Sequence, residues 1–181
     1  MTTELAAATP GATPARRPAP APDDPRLGAW RNLIHAQARL FRRLDEELQA
    51  AHGVSLAEYD ALLQLAGADG RRLRMSVLAE RVLLSRSGIT RLVDRLVATG
   101  MVERSVCPTD ARGAMATLTP AGLDRLRTAS RTHLEGVGRY FLDVVTEPDQ
   151  AILERSLGAV IDRLDRGEET GRSVCSVTGE G

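Results

Sequence analysis

Residues Leu84 to Gly100 read LSRSGITRLVDRLVATG. Ile89, Leu92, Val93, Leu96 and Val97 recur at i, i+3, i+4, i+7 and i+8, the spacing that lines one face of an α-helix with apolar side chains. Ser87, Thr90, Arg91, Asp94 and Arg95 fall around the rest of that helix, with Arg86 at its start. Ser85 has the residue type that caps a helix, because its hydroxyl accepts from the first free backbone N–H groups. Gly100 marks the stop. A polar face with three arginines on an isolated amphipathic helix is ordinarily only solvated, so the neighbouring segments decide how it is read.

Those neighbours form a pattern. A short helix is predicted over about Ser76–Val82, one tight turn ahead of the quoted stretch. Behind it, MVERSV alternates with period 2, PTDARG has turn chemistry and AMATLT returns, which reads as a β-hairpin. Two helices joined by a tight turn and followed by a hairpin make a winged helix-turn-helix. In that motif the second helix offers its N-terminal residues to base edges in the major groove. Ser85, Ser87 and Thr90 are then candidate phosphate or base contacts. Arg86 and Arg91 are candidates for bidentate contacts to guanine or for phosphate pairing. Arg95, a turn further on, is expected on the DNA backbone. At the hairpin tip, Asp110-Ala111-Arg112 is read as a loop. Its Arg112 suits the enhanced negative potential of a narrow minor groove, and Asp110 can orient the guanidinium. Taken alone, the same residues also make an ordinary β-turn.

The flanks extend the domain at both ends. A first helix is predicted over about Leu27–Ala51 with Gly53 as its stop. Ser55 and Glu58 make a capping box for a second helix ending near Gly67, with Val54 able to staple to Tyr59. Leu73 is expected in a short strand. Thr119 caps a further helix with Pro120 at its first position, running toward Val145 and weakened or bent at Gly136 and Gly138. Thr146 and Asp149 start a last helix, expected to end near Arg166. No internal repeat is present. Residues 1–26 hold six of the nine prolines and read as a disordered arm, and 167–181 as a flexible tail. The expected fold is mainly α with a small β-wing: a winged domain over about 54–119, between terminal helices at about 27–52 and 120–166.

Composition narrows the function. The 181 residues suffice for one domain with its own core. Net charge is zero and every basic residue is arginine. Yet Arg71 to Arg112 holds nine arginines against four acids, a local +5, and a polyanion responds to that patch. The two cysteines, Cys107 and Cys175, have neither metal-ligand nor disulfide-framework spacing. No apolar run approaches the roughly 20 residues of a membrane helix, and the N-terminus lacks the plan of a signal peptide, so a cytoplasmic protein is expected. His35, His52 and His133 are far apart in the sequence, with no nucleophile elbow, phosphate loop or metal motif, so neither an enzyme nor a metal or cofactor is expected. The remaining alternative is a winged-helix module that binds proteins without specific DNA binding.

The stretch LAERVLLSRSGITRLVDRLVATGMVERSVCPTDARGAMATLTPAG, Leu78 to Gly122, resembles the core of MarR-family transcription regulators. Leu78-Ala79-Glu80, Ser85, Ser87, Thr90 through Leu96, Gly100 through Arg104, Asp110, Arg112, Leu118-Thr119 and Gly122 carry the likeness, which the flanking helices extend to about Leu27–Arg166. One departure stands at the third helix, where Met75 occupies the place of the family's usual Thr or Ser cap. The resemblance implies a homodimer joined by its first and last helices, with two recognition helices about 34–36 Å apart on an inverted-repeat operator of double-stranded DNA. It implies a recognition-helix role for Arg91 and a minor-groove role for Arg112 with Asp110. It also implies a regulator, expected to be a repressor, released by a small phenolic or carboxylate ligand between the dimer helices and the winged domain. Trp30, Ile34, His35, Arg39 and Tyr59 are the expected lining, although Trp30 and Ile34 equally suit a dimer core. Some relatives sense oxidants through cysteine near the first helix, where this chain has none; Cys107 is read as an ordinary strand residue, with a thiolate held by Arg104 or Arg112 as the alternative.

Overall fold

The computed structural model of the protein describes residues 19–107 and 110–175, with 107, 110–113 and 167–175 described by backbone. The chain divides into two compact units, 1–38 and 39–181. The division falls inside α1 (Leu27–His52). In the first unit, Asp24 accepts from the Arg26 side chain and backbone, and Arg31 donates to the Pro22 carbonyl at 3.3 Å.

Local chemistry sets most boundaries in the second unit. Gly53 stops α1 with φ +64, a conformation that a Cβ disfavours, and its N–H donates to the Gln49 carbonyl at 2.9 Å. The capping box then starts α2 (Leu56–Ala66): the Ser55 hydroxyl accepts from Glu58 N–H at 3.2 Å, and Glu58 accepts from Ser55 N–H at 3.0 Å. A 3₁₀ turn (Asp69–Arg71) leads into β1 (Arg72–Arg74), the short strand expected around Leu73. The next helix, α3 (Met75–Arg81), has Arg74 at its N-cap and no side-chain cap bond. Met75 is therefore the first helical residue and does not hold the cap position. Strand β1 runs straight into α3 and fixes its entry, so the missing cap is tolerated.

α4 (Arg86–Ala98) starts at Ser85, whose hydroxyl accepts from Gly88 N–H at 3.1 Å. The hairpin follows as β2 (Val102–Cys107) and β3 (Asp110–Leu118). Strand β3 lies between β1 and β2 in an antiparallel sheet. It begins at Asp110, so Asp110-Ala111-Arg112 belongs to a strand and not to the loop expected from its turn-forming residues. The register shifts between Val106 and Cys107, so that Cys107 pairs with Asp110. The ladder is irregular there, with Ala114 paired to Val106 and Asp110 to Cys107, and extended backbone overrides local turn preference at Asp110.

Thr119 caps α5 (Pro120–Val137), accepting from Gly122 N–H at 3.0 Å while donating to the Gly100 carbonyl at 2.8 Å. This knot clasps the start of α5 to the start of β2. A Cβ at Gly122 would lie 2.1 Å from the Met101 carbonyl oxygen, so only glycine permits the approach. The bend expected from Gly136 and Gly138 is a π-turn, Gly138–Leu142, in which Asp143 N–H donates to the Gly138 carbonyl at 2.9 Å. Tyr140 in this turn donates to Glu47 and accepts from Arg43 and Arg139. α6 (Glu147–Cys175) continues past the expected end at Arg166. No proline interrupts Gly167-Glu168-Glu169, and the two glutamates favour a helix. At its start Thr146 bonds the Asp149 carboxylate at 2.7 Å.

The core joins the end of α1 with α2, α3, α4, the sheet and the inner face of α5. Leu48, Val54, Leu62, Leu65, Leu78, Leu92, Leu96, Val102 and Ala116 are all buried in it. Fully burying one such side chain is worth about 1.5–3 kcal/mol, so this cluster holds the second helix of the motif in place. Val97, expected on the apolar face of α4, is instead exposed.

Candidate nucleic-acid interface

The apolar half of α4 is consumed by the core through Ile89, Leu92, Val93 and Leu96. Its polar half stays in solvent: Ser85, Arg86, Ser87, Thr90, Arg91 and Arg95 are all exposed. The helix therefore has one orientation available, with its basic face outward. The Ser87 hydroxyl lies 3.2 Å from that of Ser85, and Thr90 donates to the Arg86 carbonyl at 2.9 Å. Both side chains are thereby ordered against the first turn. Free N–H groups of that turn and the positive end of the helix dipole favour an anion at the same end.

Two ion pairs shape the charge of this surface. Arg95 Nε donates to Glu58 Oε1 at 2.8 Å, and Glu58 also closes the capping box of α2. Arg95 thereby locks α4 onto α2, and its guanidinium is shared between this pair and the Arg91 carbonyl. Burial pushes the Glu58 carboxyl up, but the Ser55 and Arg95 hydrogen bonds outweigh it and hold the group below its ordinary range. On the other flank Arg104 of β2 meets Asp94 at 3.0 Å. That pairing neutralises the acid on the polar face, which would otherwise repel phosphate. Neither pairing falls at a helical or hairpin spacing: 37 residues separate Arg95 from Glu58, and Arg104 and Asp94 lie on different elements.

Arg86 and Arg91 project from the same exposed face as Ser87 and Thr90, and Arg72 and Arg74 are exposed on β1. The side chains of Asp110 and Arg112 lie outside the described residues, as do those of Cys107 and Cys175. Of the thiolate partners considered, Arg104 is engaged by Asp94.

A second feature lies within the unit 39–181. A cavity of about 740 Å³ is lined mainly by apolar side chains, with Tyr59, Asp60, Arg42 and His133 among its polar ones. Of the five expected ligand residues, Tyr59 lines it. Arg39 is exposed one residue ahead of its first lining residue, Leu40. Trp30, Ile34 and His35 are exposed on the α1 turns of the first unit. His133 was not among the expected lining residues. It stacks on Tyr59 with ring centroids 4.5 Å apart, its Nδ1 is buried without a hydrogen-bond partner, and burial pushes its pKa down against the opposing pull of Asp60. Its spacing from Leu126 and Val137, seven and four residues, puts it on the inner stripe of α5, a signal available in the sequence. Among the described residues no helix is long and apolar enough to cross a membrane.

Known proteins share this architecture. The family model described as "MarR family" matches residues 52–113. The chain is similar to AbsC, a MarR family transcriptional regulator from Streptomyces coelicolor, at 30% identity and a TM-score of 0.75 over 82% of this chain and 99% of that one. It is similar to Sco3205 of the same organism and family, solved in complex with DNA, at 34% identity and a TM-score of 0.72 over 83% and 91%. It is also 28% identical over 142 residues to the transcriptional repressor MprA of Escherichia coli (strain K12), covering 78% of this chain and 79% of the repressor.

Proposed function

This chain belongs to the MarR family of winged helix-turn-helix transcriptional regulators, and from that premise we propose that it represses transcription by binding an inverted-repeat operator as a homodimer. The observation that carries this reading is the division of α4: four apolar residues locked in the core, and Arg86, Ser87, Thr90 and Arg91 together in solvent. In the proposed complex this face enters the major groove. Arg91 reads bases, Arg86 contacts a base or phosphate, and Ser85, Ser87 and Thr90 hold phosphate oxygens. Arg95 acts chiefly through Glu58, fixing the angle of α4, and reaches the DNA backbone with its outer edge. Arg112 enters the adjacent minor groove, oriented by Asp110. Two copies related by a two-fold axis set two such helices about 34–36 Å apart, one helical turn of DNA.

In this reading the dimer forms through the terminal helices. Along α6, Ile152, Leu157, Val160, Ile161 and Leu164 are exposed, a stripe that a second copy would cover. The proposed effector, a small phenol or carboxylate, occupies the cavity beside Tyr59 and His133; the unpartnered Nδ1 of His133 is a ready partner for its polar group. The relatives regulate transcription and are not enzymes, and no observation favours a protein-only winged module.

A gel-shift series tests the proposal, using duplex DNA from upstream of the protein's own gene at rising salt. Specific binding is expected to survive competitor DNA and to weaken steeply with salt as counterions are released. Absence of binding at low salt would refute it.

A further inference from the structure

The turn joining α3 to α4 contains one residue that is unfavourable twice over. Leu83 has φ +55, the left-handed region in which a Cβ crowds the backbone and which glycine or asparagine occupies at least strain. Arg71 is the other non-glycine residue with positive φ among the described residues, and its charged side chain suits the solvent there. Leu83 is 90% exposed, the most exposed large hydrophobic residue among those described. Its neighbours do the opposite: Val82 and Leu84 pack against the core. The backbone of the turn is fully engaged, with Val82, Leu83 and Leu84 N–H groups donating to Leu78, Glu80 and Ala79 carbonyls at 3.0, 3.2 and 2.9 Å. The geometry thus belongs to the turn, and the leucine side chain contributes nothing to holding it. Local strain kept at a defined position points to a use outside the fold.

The position of the side chain narrows that use. It stands two residues ahead of the cap of α4, beside the exposed Ser85, Arg86 and Ser87. A single exposed leucine, with Arg81 and Ser85 as the next exposed residues on either side, offers far too little area for a protein partner. Beside its phosphates, DNA presents apolar surface as thymine methyls and deoxyribose carbons, and apolar side chains read the former directly. We propose that Leu83 is an apolar DNA contact, held outward by the turn to meet thymine-methyl or deoxyribose surface at the edge of the groove that α4 enters. This rests on the reading that α4 binds DNA.

The test uses the full chain and a duplex that the wild-type protein enriches from a random-sequence pool. Leu83→Asn and Leu83→Gly both suit the backbone and remove the apolar side chain; Leu83→Met keeps an apolar one. The first two are expected to melt at or above the wild-type temperature yet bind the duplex about three- to tenfold more weakly, while Leu83→Met stays within about twofold. Replacing each thymine by deoxyuridine separates the two surfaces. A site whose replacement weakens wild type but not Leu83→Asn identifies a methyl contact, and no such site leaves deoxyribose. Wild-type affinity in Leu83→Asn, or a lowered melting temperature in both strain-relieving variants, overturns the contact while leaving the DNA reading intact. Failure of the wild-type chain to enrich any duplex overturns both.

Discussion

α4 and α6 carry the same kind of apolar stripe and use it differently. In α4 the stripe from Ile89 to Leu96 is sealed, with Leu92 at 2% exposure, and the helix is a fixed part of the winged core. In α6 the stripe is open, with Ile161 at 58%. Helical periodicity reports that a face is apolar but not what covers it. For α4 the cover is the chain's own α2, α3 and sheet. For α6 the proposed cover is a second copy of the chain. The difference teaches that one periodicity can mark a face the chain covers itself, as in α4, or a face it leaves open to solvent, as in α6.

The sharpest way to break this contrast is a matched pair of substitutions. Leu92→Ala is expected to destabilise the fold by about 2–5 kcal/mol, through lost burial and the cavity left behind, seen as a lower melting temperature at any protein concentration. Ile161→Asp should instead leave the winged unit folded and weaken the proposed dimer by about 2 kcal/mol or more. Light scattering would register it as a shift to monomer at low concentration. A wild-type chain that is monomeric at micromolar concentration would remove the basis of the contrast.

Next in size are the proposed DNA contacts of the winged unit. Arg112→Ala is expected to lose about 1–3 kcal/mol of operator affinity with the dimer intact; unchanged affinity would refute the wing assignment. Arg91→Ala should lose a similar amount and also relax operator preference. A small uniform loss across sequences would make Arg91 a phosphate contact instead.

The smallest expected effect concerns the brace beneath α4. Arg95 is half exposed where it meets Glu58, so Arg95→Ala should cost no more than about 1 kcal/mol of stability. Its pH dependence is diagnostic. The Glu58 carboxyl is held below its ordinary range despite burial, by Ser55 and Arg95. A depressed folded pKa stabilises above the unfolded value, about 4.3, and that stability disappears as pH falls through the folded value. Denaturant titrations of wild type and Arg95→Ala should therefore differ by a constant amount from neutral pH to about pH 5 and converge below it. Parallel curves down to pH 3 would show that the guanidinium contributes by packing alone.

Much of the winged unit was legible in its residues. Ser55 with Glu58, Ser85 and Thr119 with Pro120 cap their helices as expected, because a cap satisfies backbone groups within one turn. Ile89, Leu92, Val93 and Leu96 are buried as their spacing implies. Two of the misreadings lie beside the sheet. Asp110-Ala111-Arg112 has turn chemistry but opens strand β3, with Asp110 paired to Cys107, and Met75 sits inside a helix whose entry β1 holds. In both places sheet pairing overrode a local preference. For the candidate site, the exposed basic face of α4 was readable. The role of Glu58, the pairing of Asp94 with Arg104 and the outward Leu83 were not.

What the sequence by itself determined is the set of features that close within about four residues: helix faces, caps, stops and the order of elements that makes a winged helix-turn-helix. Only the tertiary structure decided that Arg95 braces α4 through Glu58, that Asp94 is silenced by Arg104, and that His133 faces a cavity beside Tyr59. The physical reason is range. Backbone hydrogen bonding and side-chain periodicity act along the chain and leave their mark in its spacing, whereas charge pairing and cavity lining depend on which distant segments the core brings together.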